Sequence, residues 1–280
     1  MSRVETQEKK KKKKKGGIGI WIYRLIIFAL VCVMGFSAYQ IYDIYDEYEE
    51  GTTIYNDFAD AVGAGKTSGV DNTRLRNLDW KSLKEKSDDV IAWIRCKDTV
   101  LNYPIVEGSK WESATQYSEY YLARTITGEY NGKGTLFVDH SCKNPFDSFL
   151  TIIYGHRMKD GSMFKLLPSY FGESGIDYYN EHPVFELYLE DKDFDLEIFA
   201  CAKVDETDGE IYRYDFTDAT GRDDVREKQV YLDRIYAINE LMADTNVNVT
   251  ANDRIVMMST CTAELDNHRL VVWAKLVPVE

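Results

Sequence analysis

The sequence lacks the cysteine patterns of metal sites and disulfide scaffolds. Its five cysteines, at positions 32, 96, 142, 201 and 261, form no CxxC pair and follow no metal-ligand spacing. Five cysteines in 280 residues are also too few for a disulfide-stapled fold. We therefore expect no metal ion and no cofactor, and the odd count leaves at least one thiol unpaired.

Nucleotide, calcium and nucleic-acid sites are lacking as well. The run Gly65-Lys66-Thr67 has neither the glycine spacing nor the preceding strand of a phosphate loop. Asp191, Asp193 and Asp195 alternate like a calcium loop, but no glycine or glutamate follows where such a loop needs them. The first 24 residues carry a net charge of +7, so the other 256 carry −20. A segment this acidic, with no basic stripe, repels phosphate groups, and this excludes nucleic-acid binding.

What the chain does have is apolar and aromatic content. Hydrophobic residues make up 44% of it, and it contains 20 tyrosines. This composition argues against disorder over most of the length and allows a sizeable core. We expect one globular domain with accessory segments.

The N-terminal region reads as a membrane anchor. Seven lysines occupy positions 9–15, and an apolar run at 18–39 follows. As a helix, that run would span about 33 Å, enough for the roughly 30 Å hydrocarbon core. A cleavable signal peptide is the alternative, but the run is long and no clear cleavage site follows it. The lysines predict a cytoplasmic N-terminus and residues 40–280 outside the cell.

Four segments follow from this reading. Residues 1–17 form a basic cytoplasmic tail and residues 18–39 a single transmembrane helix. Residues 40–74 form an extracellular stalk helix and a linker rich in glycine and serine. Residues 75–280 form the globular domain.

The last segment is mostly β. Short apolar runs rich in valine and isoleucine, bounded by turn residues, predict strands at 90–96, 100–106, 135–139, 149–156, 184–190, 194–204, 254–261 and 270–277. Eight strands with few helices between them predict a β-barrel with peripheral helices. Short helical patterns cover residues 79–86 and 223–243.

Three residues with useful chemistry stand at predicted strand ends. Cys261 ends one strand, Arg269 opens the next, and His156 ends an earlier one. A cation beside a thiol favours the nucleophilic thiolate, imidazole can transfer protons near neutral pH, and guanidinium can hold an oxyanion. The alternative for Cys261 is a thiol packed in the core, and the alternative for His156 is a turn histidine without a catalytic role.

These residues carry a resemblance. Tyr154-Gly155-His156, the strand end Ser259-Thr260-Cys261 and Arg269 eight residues later look like a sortase, and more narrowly a class B sortase. The resemblance covers residues 75–280. One departure is visible, since sortases usually show a TLxTC pattern where this strand reads MMSTC.

The resemblance implies a sortase-type eight-stranded barrel and a cysteine transpeptidase. Cys261 would attack an LPxTG- or NPxT-like sorting signal near the C-terminus of a secreted protein and form a thioester. His156 would protonate the leaving amine, and Arg269 would hold the substrate carbonyl and oxyanion. Tyr154 and Ser259 would line the substrate groove, with Asn144 as a further candidate.

The acceptor implied is an amine of the cell wall precursor or a pilin lysine. Wall anchoring and pilus polymerisation use the same three residues, so the sequence does not separate them. Two further alternatives are a membrane-tethered cysteine protease or hydrolase, and a non-enzymatic surface module in which the three residues only pack.

Overall fold

A computed structural model of the chain describes residues 17–65, 74–75, 78–107, 120–138, 141–261 and 267–279, with only the backbone at positions 17, 18 and 261. Most of the predicted basic tail and the linker residues 66–73 lie outside these ranges. The chain divides into two compact units, Met1–Asp46 and Glu47–Glu280. The second unit begins inside the segment that the sequence predicts as the stalk.

The N-terminal unit contains most of one long helix. Helix α1 (Gly17–Ala61) joins the predicted anchor and the predicted stalk without a break. Among the described residues it is the one helix long and apolar enough to cross a membrane, and the most apolar 18-residue window is wholly exposed. The part of α1 from Glu47 onward belongs to the second unit, where it buries Tyr55, Phe58 and Ala59.

The second unit is built on a closed barrel, and the eight predicted strands are confirmed. They are β1 (Val90–Arg95), β2 (Asn102–Glu107), β3 (Leu136–Val138), β4 (Leu150–Tyr154), β5 (Val184–Tyr188), β6 (Asp193–Asp205), β7 (Ile255–Cys261) and β8 (His268–Pro278). Their order around the barrel is β1-β2-β3-β4-β7-β8-β6-β5, and β5 closes it by pairing with β1. The pairs β2/β3 and β4/β7 are parallel and the others antiparallel.

Strand β7 lies between β4 and β8 and is buried on both faces. Met258 packs into one apolar cluster with Trp93 and Ile153, while its neighbour Met257 packs into a second cluster with Trp273. A strand covered on both faces needs a continuous apolar run, as residues 255–258 provide. This burial fixes the register of β7 against its two neighbours.

Short helices surround the barrel. The predicted helix at 79–86 is α2 (Trp80–Lys86), whose N-terminus is capped by Asp79. The predicted helix at 223–243 is α4 (Val225–Ile238), which ends where Asn239 turns extended and its side chain accepts from the Cys201 N–H. The sequence did not predict α3 (Ser174–Glu181) or the 3₁₀ helices Tyr121–Ala123 and Phe164–Tyr170.

Candidate active site

The strand register brings the three predicted catalytic positions to one end of the barrel. In the parallel pair β4/β7, Tyr154 lies opposite Ser259. His156 and Cys261 each follow two residues later, and the Gly155 N–H donates to the Ser259 carbonyl at 3.1 Å. In the antiparallel pair β7/β8, Cys261 lies opposite Arg269. Position 261 is therefore flanked by the chain segments that carry the imidazole and the guanidinium.

His156 is held by a backbone carbonyl. Its Nε2 lies 2.6 Å from the carbonyl oxygen of Leu122, in the 3₁₀ helix Tyr121–Ala123. A carbonyl oxygen only accepts, so Nε2 carries the proton and Nδ1 is the ring atom able to exchange a proton with another group. The ring is half-buried. A neutral His156 is therefore fixed in one tautomer.

The glycine before His156 is required by packing. A Cβ at Gly155 would lie 2.3 Å from Leu136 Cδ2 and 2.7 Å from Phe164 Cδ2. The Phe164 N–H also donates to the His156 carbonyl at 2.9 Å. The backbone at Gly155 therefore packs directly against side chains of β3 and of the 3₁₀ helix Phe164–Tyr170. This packing fixes the backbone that carries the imidazole.

Arg269 forms an ion pair with a residue that the sequence did not single out. Its Nη2 contacts Glu206 Oε2, and both side chains are about one-third exposed, at 29% and 33%. Glu206 follows the last residue of β6, and its N–H donates to the Asn267 carbonyl at 2.9 Å, immediately before β8. Strands β6 and β8 pair up to this end of the barrel, so their register places the Glu206 carboxylate beside the Arg269 guanidinium.

Tyr154 and Ser259 lie among further tyrosines. The Tyr212 hydroxyl is 2.9 Å from Ser259 Oγ, and the Tyr154 hydroxyl is 3.0 Å from that of Tyr214. The rings of Tyr154 and Tyr212 stack with their centroids 6.3 Å apart. Tyr212 and Tyr214 were missed, because the segment that carries them is neither a strand nor a helix and has no periodic pattern to mark it.

Asn144 is set apart from His156 by the length of β4. It lies in the turn before β4, where its carbonyl accepts from the N–H groups of Asp147 and Ser148. It lines a cavity of about 750 Å³ with Phe216 and Arg254, and Tyr214 lines the same cavity. His156 follows the last residue of β4, whereas Asn144 precedes its first.

The geometry agrees with comparisons to known proteins. A family model described as a sortase domain matches residues 94–277, about two-thirds of the chain. This chain belongs to the sortase family. Sortase B of Listeria monocytogenes is 31% identical over 244 residues, covering 86% of this chain and 91% of that protein. Sortase B of Staphylococcus aureus is 30% identical over 202 residues, covering 71% and 75%.

Solved sortase structures share the fold. A Staphylococcus aureus sortase B–substrate complex aligns with a TM-score of 0.60 at 29% identity, covering 71% of this chain and 85% of that one. A sortase B from B. anthracis in complex with AAEK1 aligns with a TM-score of 0.64 at 29% identity, covering 84% and 100%. The chain is thus a class B sortase, and its enzyme class is cysteine transpeptidase.

This sortase has three other cysteines in its second unit. Cys96, Cys142 and Cys201 are buried and form no disulfide within the described part of the chain. Burial raises the pKa of Cys96 and of Cys201 from 9.0 to about 12, so both stay protonated at neutral pH. Only a thiolate is a good nucleophile. We call Cys96 and Cys201 the two barrel thiols.

Across the described residues, no group of three or more histidine, cysteine and acidic side chains is arranged to hold a metal ion.

Proposed function

We propose that this sortase cleaves an LPxTG- or NPxT-like sorting signal near the C-terminus of secreted proteins and joins the new end to an amine. Cys261 is the nucleophile, His156 the general acid and base, and Arg269 the oxyanion and carbonyl partner. The observation that carries this proposal is the register of β7, which sets position 261 opposite Arg269 and one strand from the segment of His156.

The first half-reaction forms a thioester. The thiolate attacks the carbonyl carbon of the threonine, and the carbonyl electron pair moves onto oxygen, where guanidinium N–H groups stabilise it. The C–N bond then breaks, and the imidazolium gives its proton to the departing amine. A guanidinium has five N–H donors, so Arg269 can contact Glu206 and still donate to the substrate.

The second half-reaction reverses these roles. An acceptor amine attacks the thioester carbon, neutral His156 takes the amine proton, and the C–S bond breaks to regenerate the thiolate. An amine of the peptidoglycan precursor is the proposed acceptor, and a pilin lysine is the alternative. If water attacks instead, the enzyme is a hydrolase.

The substrate groove would run beside β4 and β7. Tyr154, which is half-buried, is proposed to contact the signal peptide, and the stacked ring of Tyr212 extends that surface. Ser259 is buried, so we propose that it supports the groove wall through its contact with the Tyr212 hydroxyl. Aromatic faces and hydroxyls together suit an extended peptide with apolar and polar side chains. Asn144 stays a weaker candidate, because its turn lies at the other end of β4.

We also propose that the apolar part of α1 anchors the enzyme in the cell membrane. The lysines before it favour a cytoplasmic N-terminus with the barrel outside, where secreted substrates and a lipid-linked wall precursor are found. Protease treatment of intact cells tests this topology. Digestion of the barrel supports it, and protection of the barrel in intact but not lysed cells contradicts it.

Activity is tested with the full-length protein in detergent, a fluorogenic sorting peptide and an amine acceptor. Cys261→Ala and His156→Ala are expected to abolish turnover, while Cys142→Ala, a matched change of a buried thiol, keeps it. Full activity of Cys261→Ala overturns the proposal. Mass spectrometry of the products with and without the acceptor distinguishes transfer from hydrolysis.

A further inference from the structure

The end of helix α1 is joined to the barrel by polar contacts with one short segment. We call residues 131–135 the connector. The Asn131 side chain donates to the Glu47 carbonyl at 3.1 Å, and Glu47 Oε1 accepts from the connector backbone. Lys133, only 1% exposed, donates to Thr52 and to Asp160. The connector is thus held by three successive turns of the helix.

Tyr55 makes the deepest of these contacts. Its hydroxyl lies 2.6 Å from the Gly134 carbonyl oxygen and 2.7 Å from Thr135 Oγ1, and the residue is 1% exposed. Burial raises the pKa of Tyr55 well above its usual range, so the hydroxyl keeps its proton at any working pH. It therefore acts as a permanent hydrogen-bond donor to the connector.

The other side of the connector touches the carbonyl that holds His156. The Thr135 N–H donates to the Tyr121 carbonyl at 2.9 Å. Gly134, at a φ of +62°, approaches so closely that a Cβ there would lie 2.6 Å from the Leu122 oxygen. The same oxygen is the one 2.6 Å from His156 Nε2. One short path of packed backbone therefore links Tyr55 to the imidazole.

We propose that Tyr55 is a positioning residue for the proton transfer by His156. It acts by fixing the connector and, through it, the Leu122 carbonyl. The inference rests on the proposed role of His156. Loss of the Tyr55 hydroxyl lets the connector and the Leu122 carbonyl shift, so the imidazole spends less time aligned with the leaving amine. Small misplacements of a catalytic group lower the rate steeply.

The leaving group distinguishes this role from a general structural one. An amine leaves only with a proton, whereas an alcohol is the easier leaving group, so amide cleavage depends more on the imidazole than ester cleavage does. Two sorting peptides of the same sequence, one with an amide and one with an ester at the scissile bond, therefore report on how well the His156 imidazolium is positioned. A distorted groove would slow both substrates alike.

The test uses the full-length protein in detergent and the variant Tyr55→Phe. We expect kcat for the amide to fall about fivefold, with KM changed less than about twofold and ester turnover nearly unchanged. This loss is well below the roughly 10²–10⁴-fold of removing a general acid, because the imidazole remains. Thr135→Val, which removes the partner hydroxyl, should show the same selective loss, and Thr135→Ser should restore amide turnover.

The matched control is Tyr170→Phe. Tyr170 is fully buried and donates to the His182 carbonyl at 2.7 Å, and within the described part of the chain no hydrogen bond joins it to the connector. We expect it to leave the amide-to-ester ratio unchanged.

Three results would overturn the inference: unchanged amide turnover in Tyr55→Phe, equal loss on both substrates, or the same selective loss in Tyr170→Phe. If Tyr55→Phe does not fold, the Thr135→Val and Thr135→Ser pair decides by the same criteria. Full amide activity in His156→Ala would instead refute the proposed function itself.

Discussion

The substitution Gly134→Ala tests how tightly the backbone near His156 is packed. Gly134 has a φ of +62°, in the left-handed region that alanine avoids. A Cβ there would lie 2.6 Å from the Leu122 oxygen and 2.7 Å from the Tyr121 oxygen. Both are backbone atoms, so neither can rotate away as a flexible side chain would. The 3₁₀ helix that carries the Leu122 carbonyl must move.

The expected cost has three parts. Left-handed backbone costs alanine about 1–2 kcal/mol. Forcing a methyl into a filled space costs about a further 1–3 kcal/mol. Alanine also lowers the conformational entropy of the unfolded chain, and this offsets about 0.4–1 kcal/mol of the cost. We therefore expect Gly134→Ala to lower the free energy of unfolding by roughly 2–4 kcal/mol.

A matched control separates the two penalties. Gly172 has a φ of +73°, but a Cβ there would meet nothing within 4 Å. Gly172→Ala should therefore cost only about 1 kcal/mol. Urea unfolding of both full-length variants gives the difference, and turnover of the sorting peptide at a temperature where both are folded gives the catalytic effect. Equal destabilisation, or wild-type turnover in Gly134→Ala, would refute the packing argument.

Three further changes have defined outcomes. Glu206→Gln removes the charge paired with Arg269 and should lower kcat/KM by at most about fivefold, as expected for a partly exposed ion pair; a larger loss would give the carboxylate a direct catalytic role. Burial raises the pKa of Asp160, but the hydrogen bonds from Lys133 and Ser162 together outweigh burial and hold that pKa below 3.8. Its stabilisation is therefore present above that value and lost as the pH falls through the lowered one, so the Tm difference from Asp160→Asn should shrink between about pH 6 and about pH 3, and a constant difference contradicts this. A thiol reagent should leave the two barrel thiols of the folded protein unlabelled, and Cys261→Ala should remove the fastest-labelling thiol; an unchanged fast phase would show that Cys261 is not activated.

Much of the barrel could be predicted because its strands obey simple rules. Runs such as residues 255–258 are apolar on both faces, which only a doubly covered strand requires. The positions of Cys261, His156 and Arg269 at strand ends followed from where those runs stop. Which strand ends meet, however, came from the sortase resemblance rather than from hydrophobic pattern.

The contacts that hold the site could not be predicted from side-chain type. The partner of His156 is the backbone carbonyl of Leu122, and any residue at that position supplies one. Glu206 meets Arg269 because β6 and β8 pair although more than 60 residues of chain separate these two positions. Local patterns contain no information on such long-range pairing.

Helix α1 shows the same limit. The helical repeat of Ile41, Ile44, Tyr45 and Tyr48 predicts the stalk helix. The first three are exposed, Tyr48 is half-buried against the core, and full burial begins at Gly51. A helical repeat identifies a face but not what covers it.

The most direct test of the account is the mass of the full-length enzyme mixed with sorting peptide and no amine acceptor. Transfer through a thioester predicts a covalent adduct equal to the acyl part of the peptide, mapped to Cys261 and released when an amine is added. Cys261→Ala should form no adduct and no product. An acyl group on another residue, or product from Cys261→Ala, would contradict the central claim.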